Sequence, residues 1–260
     1  MAIPGANSVT MVTDAAVAAP RLHWMTATVR AVIDETPRVR TLILDVPAWP
    51  GHKAGQHVDV RLTAEDGYQA QRSYSIASAP GAGELMLAVE MLPDGEVSSY
   101  LAGEARAGDT FELRGPIGGY FVWTEALDGP LFLVGGGSGI VPLMAMLRQR
   151  AASGSQTPAR LLFSSRSFAD IIYRAELERL AGQGVAVIHT LTREKPAGWA
   201  GQTRRIDRAM LAQVGNSPAE SARIFICGPT PLVETVACDL RDLGHSAKLI
   251  KTERFGPTGK

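Results

Sequence analysis

Arg72-Ser73-Tyr74-Ser75-Ile76-Ala77-Ser78 lies inside a β-rich run and has the form Arg-x-Tyr-Ser. In a strand, side chains alternate between faces, so Arg72, Tyr74 and Ile76 share one side and Ser73 and Ser75 the other. A guanidinium, a flat aromatic ring and small hydroxyls then stand within a few residues of one another. That set suits a ligand with a phosphate, a planar ring and polar ring edges. It equally suits an ordinary barrel strand, and the glycine-rich stretches downstream decide between the two.

Upstream and downstream of this heptad, residues 23–123 read as strands and turns. Residues 26–33, 39–46, 56–62, 72–77, 84–92 and 110–113 alternate or cluster apolar residues between Gly, Asp and Pro breaks. Six short strands with this spacing predict a small antiparallel six-stranded β-barrel. One helix is expected over 97–103. Its start, Gly95-Glu96-Val97-Ser98-Ser99, offers N–H groups and hydroxyls to a phosphate, although Ser98 also reads as a plain N-cap. Gly115-Pro116-Ile117-Gly118-Gly119 allows tight turning beside a flat ligand or a simple interdomain turn.

After Asp128-Gly129-Pro130 the pattern changes to alternating strands and helices. The apolar run 131–134 leads into Gly135-Gly136-Gly137-Ser138-Gly139. A helix over 140–151 follows, with Pro142 in its first turn. Strands over 160–164, 185–191, 223–227 and 247–252 alternate with helices over 171–181, 206–213 and 232–243. This predicts an α/β doubly wound parallel five-stranded sheet, a nucleotide-binding architecture. The 135–139 turn stands where a strand hands over to a helix and can cradle a pyrophosphate. Cys227-Gly228-Pro229 ends the fourth strand, which flanks the same switch-point crevice. The second strand ends in Ser164-Ser165-Arg166, where NAD-preferring folds carry an acidic residue. Ser165 and Arg166, with Arg193 after the third strand, instead suit a 2′-phosphate.

The 260 residues carry no net charge, but residues 1–130 sum to −7 and residues 131–260 to +7. The basic half suits an anionic ligand. The expected organisation is a tail over 1–20, a β-barrel domain over 21–128 and a nucleotide-binding α/β domain over 129–260. Two cysteines exclude a disulfide framework and a four-cysteine cluster within the chain, and five scattered histidines give no metal site. No apolar run reaches the ~18 residues of a membrane span, and residues 1–20 lack the basic start of a signal peptide. A cytoplasmic protein with no nucleic-acid partner is expected.

Taken in order, Arg72-Ser73-Tyr74-Ser75, Gly95-Glu96-Val97-Ser98, Gly115-Pro116-Ile117-Gly118, Gly135–Gly139 with Pro142, Cys227-Gly228-Pro229 and Glu253-Arg254-Phe255 resemble the ferredoxin–NADP⁺ reductase superfamily over residues 22–256. The closest likeness is to stand-alone bacterial reductase modules of the ferredoxin and oxygenase type. The resemblance implies FAD, favoured over FMN, with NADPH as hydride donor and NADH as the alternative.

It assigns Arg72 to the flavin phosphates, Tyr74 to the isoalloxazine face and Ser75 to the neighbourhood of N5, with Ser73 among the cofactor-binding residues. Val89 joins the flavin-binding residues, and Gly95, Val97, Ser98 and Ser99 hold the FAD pyrophosphate. Gly136, Gly137 and Ser138 line the nicotinamide-nucleotide pyrophosphate. Cys227, with Gly228 and Pro229, borders the nicotinamide, and Phe255 lies near the flavin. Glu253 is left to adjust charge or protons near the ring. Because the chain ends five residues after Phe255 without cluster cysteines, a separate carrier is expected: a ferredoxin, a flavodoxin or an oxygenase component. Rival readings are a reductase of free flavin or ferric chelates and a non-catalytic flavin-binding subunit.

Overall fold

The computed structural model describes residues 22–256; the expected tail over 1–20 lies outside them. The first half forms strands β1 (Met25–Thr36), β2 (Val39–Asp45), β3 (His57–Thr63), β4 (Gln69–Ser75), β5 (Leu85–Glu90) and β6 (Thr110–Ile117). They make one six-stranded sheet in the order β4-β3-β6-β1-β2-β5, antiparallel throughout. Its two edges meet where Ile76 bridges Leu87, which curls the sheet into a barrel. Inward-facing Val29, Leu42, Val58, Val60, Leu87 and Leu113 are fully buried. Side chains that alternate between the two faces of each strand give this inward set its period of two.

Two expectations change here. β6 continues to Ile117, because His57 pairs with Ile117 and Asp59 with Arg114. The expected helix over 97–103 is instead a short helix, α1 (Glu96–Ser99), followed by a π-turn at Tyr100–Glu104. Val97 and Leu101 are fully buried as they cover the barrel core, and the wider turn fits that packing.

The second half forms β7 (Leu131–Gly136), α2 (Ile140–Ala152), β8 (Ala159–Ser165), α3 (Arg174–Ala181), β9 (Val185–Leu191), α4 (Arg208–Val214), β10 (Arg223–Pro229), α5 (Thr230–Asp242) and β11 (Ile250–Phe255). The sheet order is β11-β10-β7-β8-β9, all parallel. Every residue of central β7 is buried, as expected of a strand covered on both faces. α2 is buried from Ile140 through Leu147. It lies in one core with Leu133 and Phe163 of the sheet and with Ala54, Ala77, Phe121 and Trp123 from the barrel side. An all-round apolar helix is a buried helix, and this one fills the seam between the two halves.

Other bounds also move. α3 starts at Arg174 rather than 171, because Ile171 and Ile172 pack into the core and Tyr173 turns left-handed at φ 58°. β10 extends to Pro229. β11 begins at Ile250, after a tight turn over Ala247–Leu249, and runs on to Phe255. The last two changes matter for the site: Cys227 now pairs with Glu253, and Pro229 with Phe255.

Candidate functional site

β7 ends at Gly136, Gly137–Gly139 make one tight turn, and α2 begins at Ile140. A Cβ on Gly139 would stand 2.2 Å from the Cys227 carbonyl oxygen and 2.7 Å from the Gly228 Cα. Only glycine lets the ends of β7 and β10 approach this closely. The amides of the turn therefore open beside Pro229, at the strand ends where a doubly wound sheet binds its ligand.

A cavity of about 440 Å³ occupies that place. Gly136, Gly137, Ser138, Ser165, Arg166, Arg193, Pro229 and Phe255, all singled out from sequence, line it. The Ser165 hydroxyl is buried and unpartnered, and an unmet buried hydroxyl costs about 1–3 kcal/mol unless a ligand meets it. Arg166 and Arg193 form no ion pair among the described residues, and neither does Arg205. The guanidinium-rich wall suits a phosphorylated ligand.

The same cavity holds residues that sequence reasoning missed. Arg205 comes from the segment after the Thr190–Gln202 bridge. Arg38 and Glu90 come from the barrel, and Asp170 follows β8. Arg38 lies 3.2 Å from Asp170 and 4.0 Å from Glu90. Burial opposes ionisation of Asp170, but hydrogen bonds from Ser167 and Arg38 hold its carboxyl below the usual range. No local motif marks Arg38 or Arg205, because each reaches the site only through tertiary folding.

On the barrel side, Tyr74 packs against the barrel core and its phenol oxygen is buried without a partner. Burial pushes this phenol up to about 12, against the pull of nearby Arg72. A polar group sequestered in this way fits a flat ligand with polar edges. Arg72 is exposed, and its guanidinium reaches only the neighbouring Gln71 carbonyl, at 2.7 Å. Ser75 is buried opposite His57.

The other predicted barrel residues are engaged internally. Ser73 donates to Asp59 at 2.6 Å, and Asp59 also accepts from Arg114 at 2.9 Å. Ser98 accepts from the Leu92 N–H and donates to the Gly95 carbonyl, both at 3.3 Å. Ser99 donates to the Leu92 carbonyl. The Val89 and Val97 side chains belong to the barrel core.

Where the two halves meet, Cys227 is fully buried and its Sγ stands 4.0 Å from Glu253 Oε2. Burial, then the charge of Glu253, pushes the thiol well above its ordinary range. Burial pushes the Glu253 carboxyl up to about 7. Phe255 packs against the shared core. Among the described residues no cluster of His, Cys, Asp and Glu could hold a metal ion, and no helix is long and apolar enough to cross a membrane.

Comparison with known proteins gives the same division. Residues 27–122 match the oxidoreductase FAD-binding domain and residues 133–238 the oxidoreductase NAD-binding domain. The chain is 33% identical over 233 residues to a glycine betaine monooxygenase reductase subunit of Pseudomonas aeruginosa, covering 87% of this chain and 63% of that protein. The chain thus spans less than two thirds of that relative's length. It is 32% identical over 206 residues to an NADH-cytochrome b5 reductase 1 of Aspergillus terreus, covering 75% of this chain and 69% of that one. Two solved structures share the fold. The FAD/NAD-binding domain of a Vibrio cholerae nitric oxide dioxygenase has a TM-score of 0.81 at 24% identity, covering 90% and 99% of the two chains. A Neisseria gonorrhoeae ferredoxin NADP⁺ reductase has a TM-score of 0.77 at 22% identity, covering 89% and 98%. With the FAD- and NAD-binding domains joined in this order around one cleft, the chain belongs to the ferredoxin–NADP⁺ reductase superfamily of flavin oxidoreductases.

Proposed function

We propose that this protein takes a hydride from NADPH onto bound FAD and then delivers single electrons to a separate protein: a ferredoxin, a flavodoxin or an oxygenase component. The observation that carries the reading is the 440 Å³ cavity, which gathers the Gly136–Ser138 turn, Ser165 and three arginines, Arg166, Arg193 and Arg205, that form no ion pair among the described residues. FAD, when bound, supplies two-electron acceptance and one-electron release.

This chain's own residues bind and orient. Arg72 is available for the flavin phosphates and Tyr74 for the ring face. The amides of the 136–138 turn take the nucleotide pyrophosphate, and Arg166 and Arg193 take its 2′-phosphate. Ser75 on one side of the seam and Cys227 with Phe255 on the other would hold the flavin and the nicotinamide for hydride transfer. Burial at Cys227 and Ser75 keeps water from that transfer. Holding the reactants together makes the transfer effectively unimolecular.

The carrier reading draws support from relatives that are named as reductase subunits of a monooxygenase. The cytoplasmic setting expected from sequence belongs to this proposal. A second reading, NADH as donor, is favoured by Asp170, a carboxylate in the same cavity. It is favoured too by relatives named for NADH.

Anaerobic absorbance spectra before and after one equivalent of each nucleotide separate these readings. Flavin bleaching that is faster with NADPH supports the 2′-phosphate site. Faster bleaching with NADH keeps the reductase and assigns the cavity to a ribose diol. Bound flavin that neither nucleotide reduces overturns the activity.

A further inference from the structure

His57 stands opposite Ser75 across β3 and β4, and Cys227 stands opposite Glu253 across β10 and β11. Each sheet thus presents one pair to the seam. The Glu253 carboxyl is bracketed between them: Oε1 lies 4.0 Å from His57 Nδ1, and Oε2 lies 4.0 Å from Cys227 Sγ. Glu253 has a side-chain exposure of 22% and His57 of 27%. A carboxylate so poorly hydrated needs a donor.

Other charges nearby are occupied. Lys251, two residues earlier on β11, faces the Tyr120 and Phe225 rings. Arg254 is held by Glu234. Asp59 is held by Arg114 and Ser73. On the barrel side Gly118, at φ 97°, leaves backbone rather than a side chain against the imidazole.

We propose that His57 is a positioning residue that reaches across the domain seam and stabilises the ionised form of the Glu253 carboxyl beside Cys227. Its importance for turnover rests on the reductase reading; the pairing itself does not. Burial lowers the His57 imidazole, against the pull of Asp59, and so favours its neutral form. A neutral imidazole carrying its proton on Nδ1 donates to a carboxylate. A carboxyl proton donated to the same nitrogen makes the weaker neutral bond, since charge-assisted hydrogen bonds are about twice as strong. The 4.0 Å gap closes by a small side-chain movement or through one bridging water. The pair then holds one proton on Glu253 at low pH and releases it near neutrality, switching a negative charge on at the seam.

Infrared spectra of the full-length protein between pH 5 and 9 test this, with the Glu253 carboxyl band identified by its loss in Glu253→Gln. Burial alone puts the Glu253 carboxyl at about 7, so the parent protein, with its donor in place, is expected to titrate below that. His57→Phe, which keeps bulk and removes the donor, should make the acid about tenfold weaker and move the midpoint up by about one pH unit. His57→Gln keeps a donor and should leave the midpoint where it stands in the parent protein. An unchanged midpoint in His57→Phe overturns the pairing, as does an equal shift in both variants. If His57→Phe does not fold, NMR titration of the His57 ring in Glu253→Gln replaces it. A fall in imidazole basicity supports the pairing, and an unchanged titration overturns it. Flavin content, read separately from visible absorbance, shows whether the reductase reading fails on its own.

Discussion

The nucleotide cavity and the flavin face of the barrel use similar residues in different ways. In the nucleotide domain the donors are largely backbone amides at a strand–helix turn. Arg166, Arg193 and Arg205 line the same cavity and form no ion pair among the described residues, whereas Arg38 there is held by Asp170 and Glu90. In the barrel, three of the serine hydroxyls that resemble ligand-binding groups, those of Ser73, Ser98 and Ser99, are already in use. Ser73 ties Asp59, and Ser98 and Ser99 close the Leu92–Gly95 turn. Tyr74 keeps a buried phenol oxygen unmet there, and Trp123 a buried indole N–H. A short hydroxyl near an irregular backbone is readily captured by that backbone, whereas a guanidinium on a cavity wall is held only where a carboxylate comes within reach.

The sharpest way to break this comparison is Tyr74→Ala. Losing the ring contact and its buried area, ~2 kcal/mol, should weaken FAD binding by about thirtyfold. Purified Tyr74→Ala protein with full flavin occupancy and an unshifted spectrum would remove the barrel face from the flavin site. Next in size is Arg166→Ala. Loss of one charge-assisted hydrogen bond, ~1.5 kcal/mol, should lower the NADPH-to-NADH ratio of kcat/KM by about tenfold; an unchanged ratio sinks the 2′-phosphate role. The smallest ligand effect belongs to Ser98→Ala. Thermal unfolding should show a loss of about 1 kcal/mol, while the flavin Kd stays that of the parent. A flavin Kd raised tenfold without loss of stability would mean that Ser98 serves the ligand rather than the turn.

Legibility in the sequence follows the same physical line. β7 could be read because a strand covered on both faces is apolar throughout, and its glycine turn sits next to it in the chain. The barrel strands could be read from alternation. The start of α3 could not, because Ile171 and Ile172 carry an apolar pattern that suits a helix but are drawn into the core ahead of a left-handed Tyr173. Arg38, Asp170 and Arg205 come together only when barrel and sheet dock, so no window of sequence contains them. His57 was within reach: strand register sets it opposite Ser75, but register is not visible in one strand alone.

The buried α2 helix has a consequence for anyone who would recombine reductases. Its apolar surface is shared with Ala54, Ala77, Phe121 and Trp123, while Arg148 near its end donates to the Ala77 carbonyl at 2.7 Å and holds Glu176. A cut at the Asp128–Pro130 connection therefore leaves a greasy footprint on the barrel fragment and an unmatched helix on the other. The interchangeable part is larger than either half: a chimaera must carry α2 together with the barrel residues it was packed against, or rebuild both sides of that contact at once.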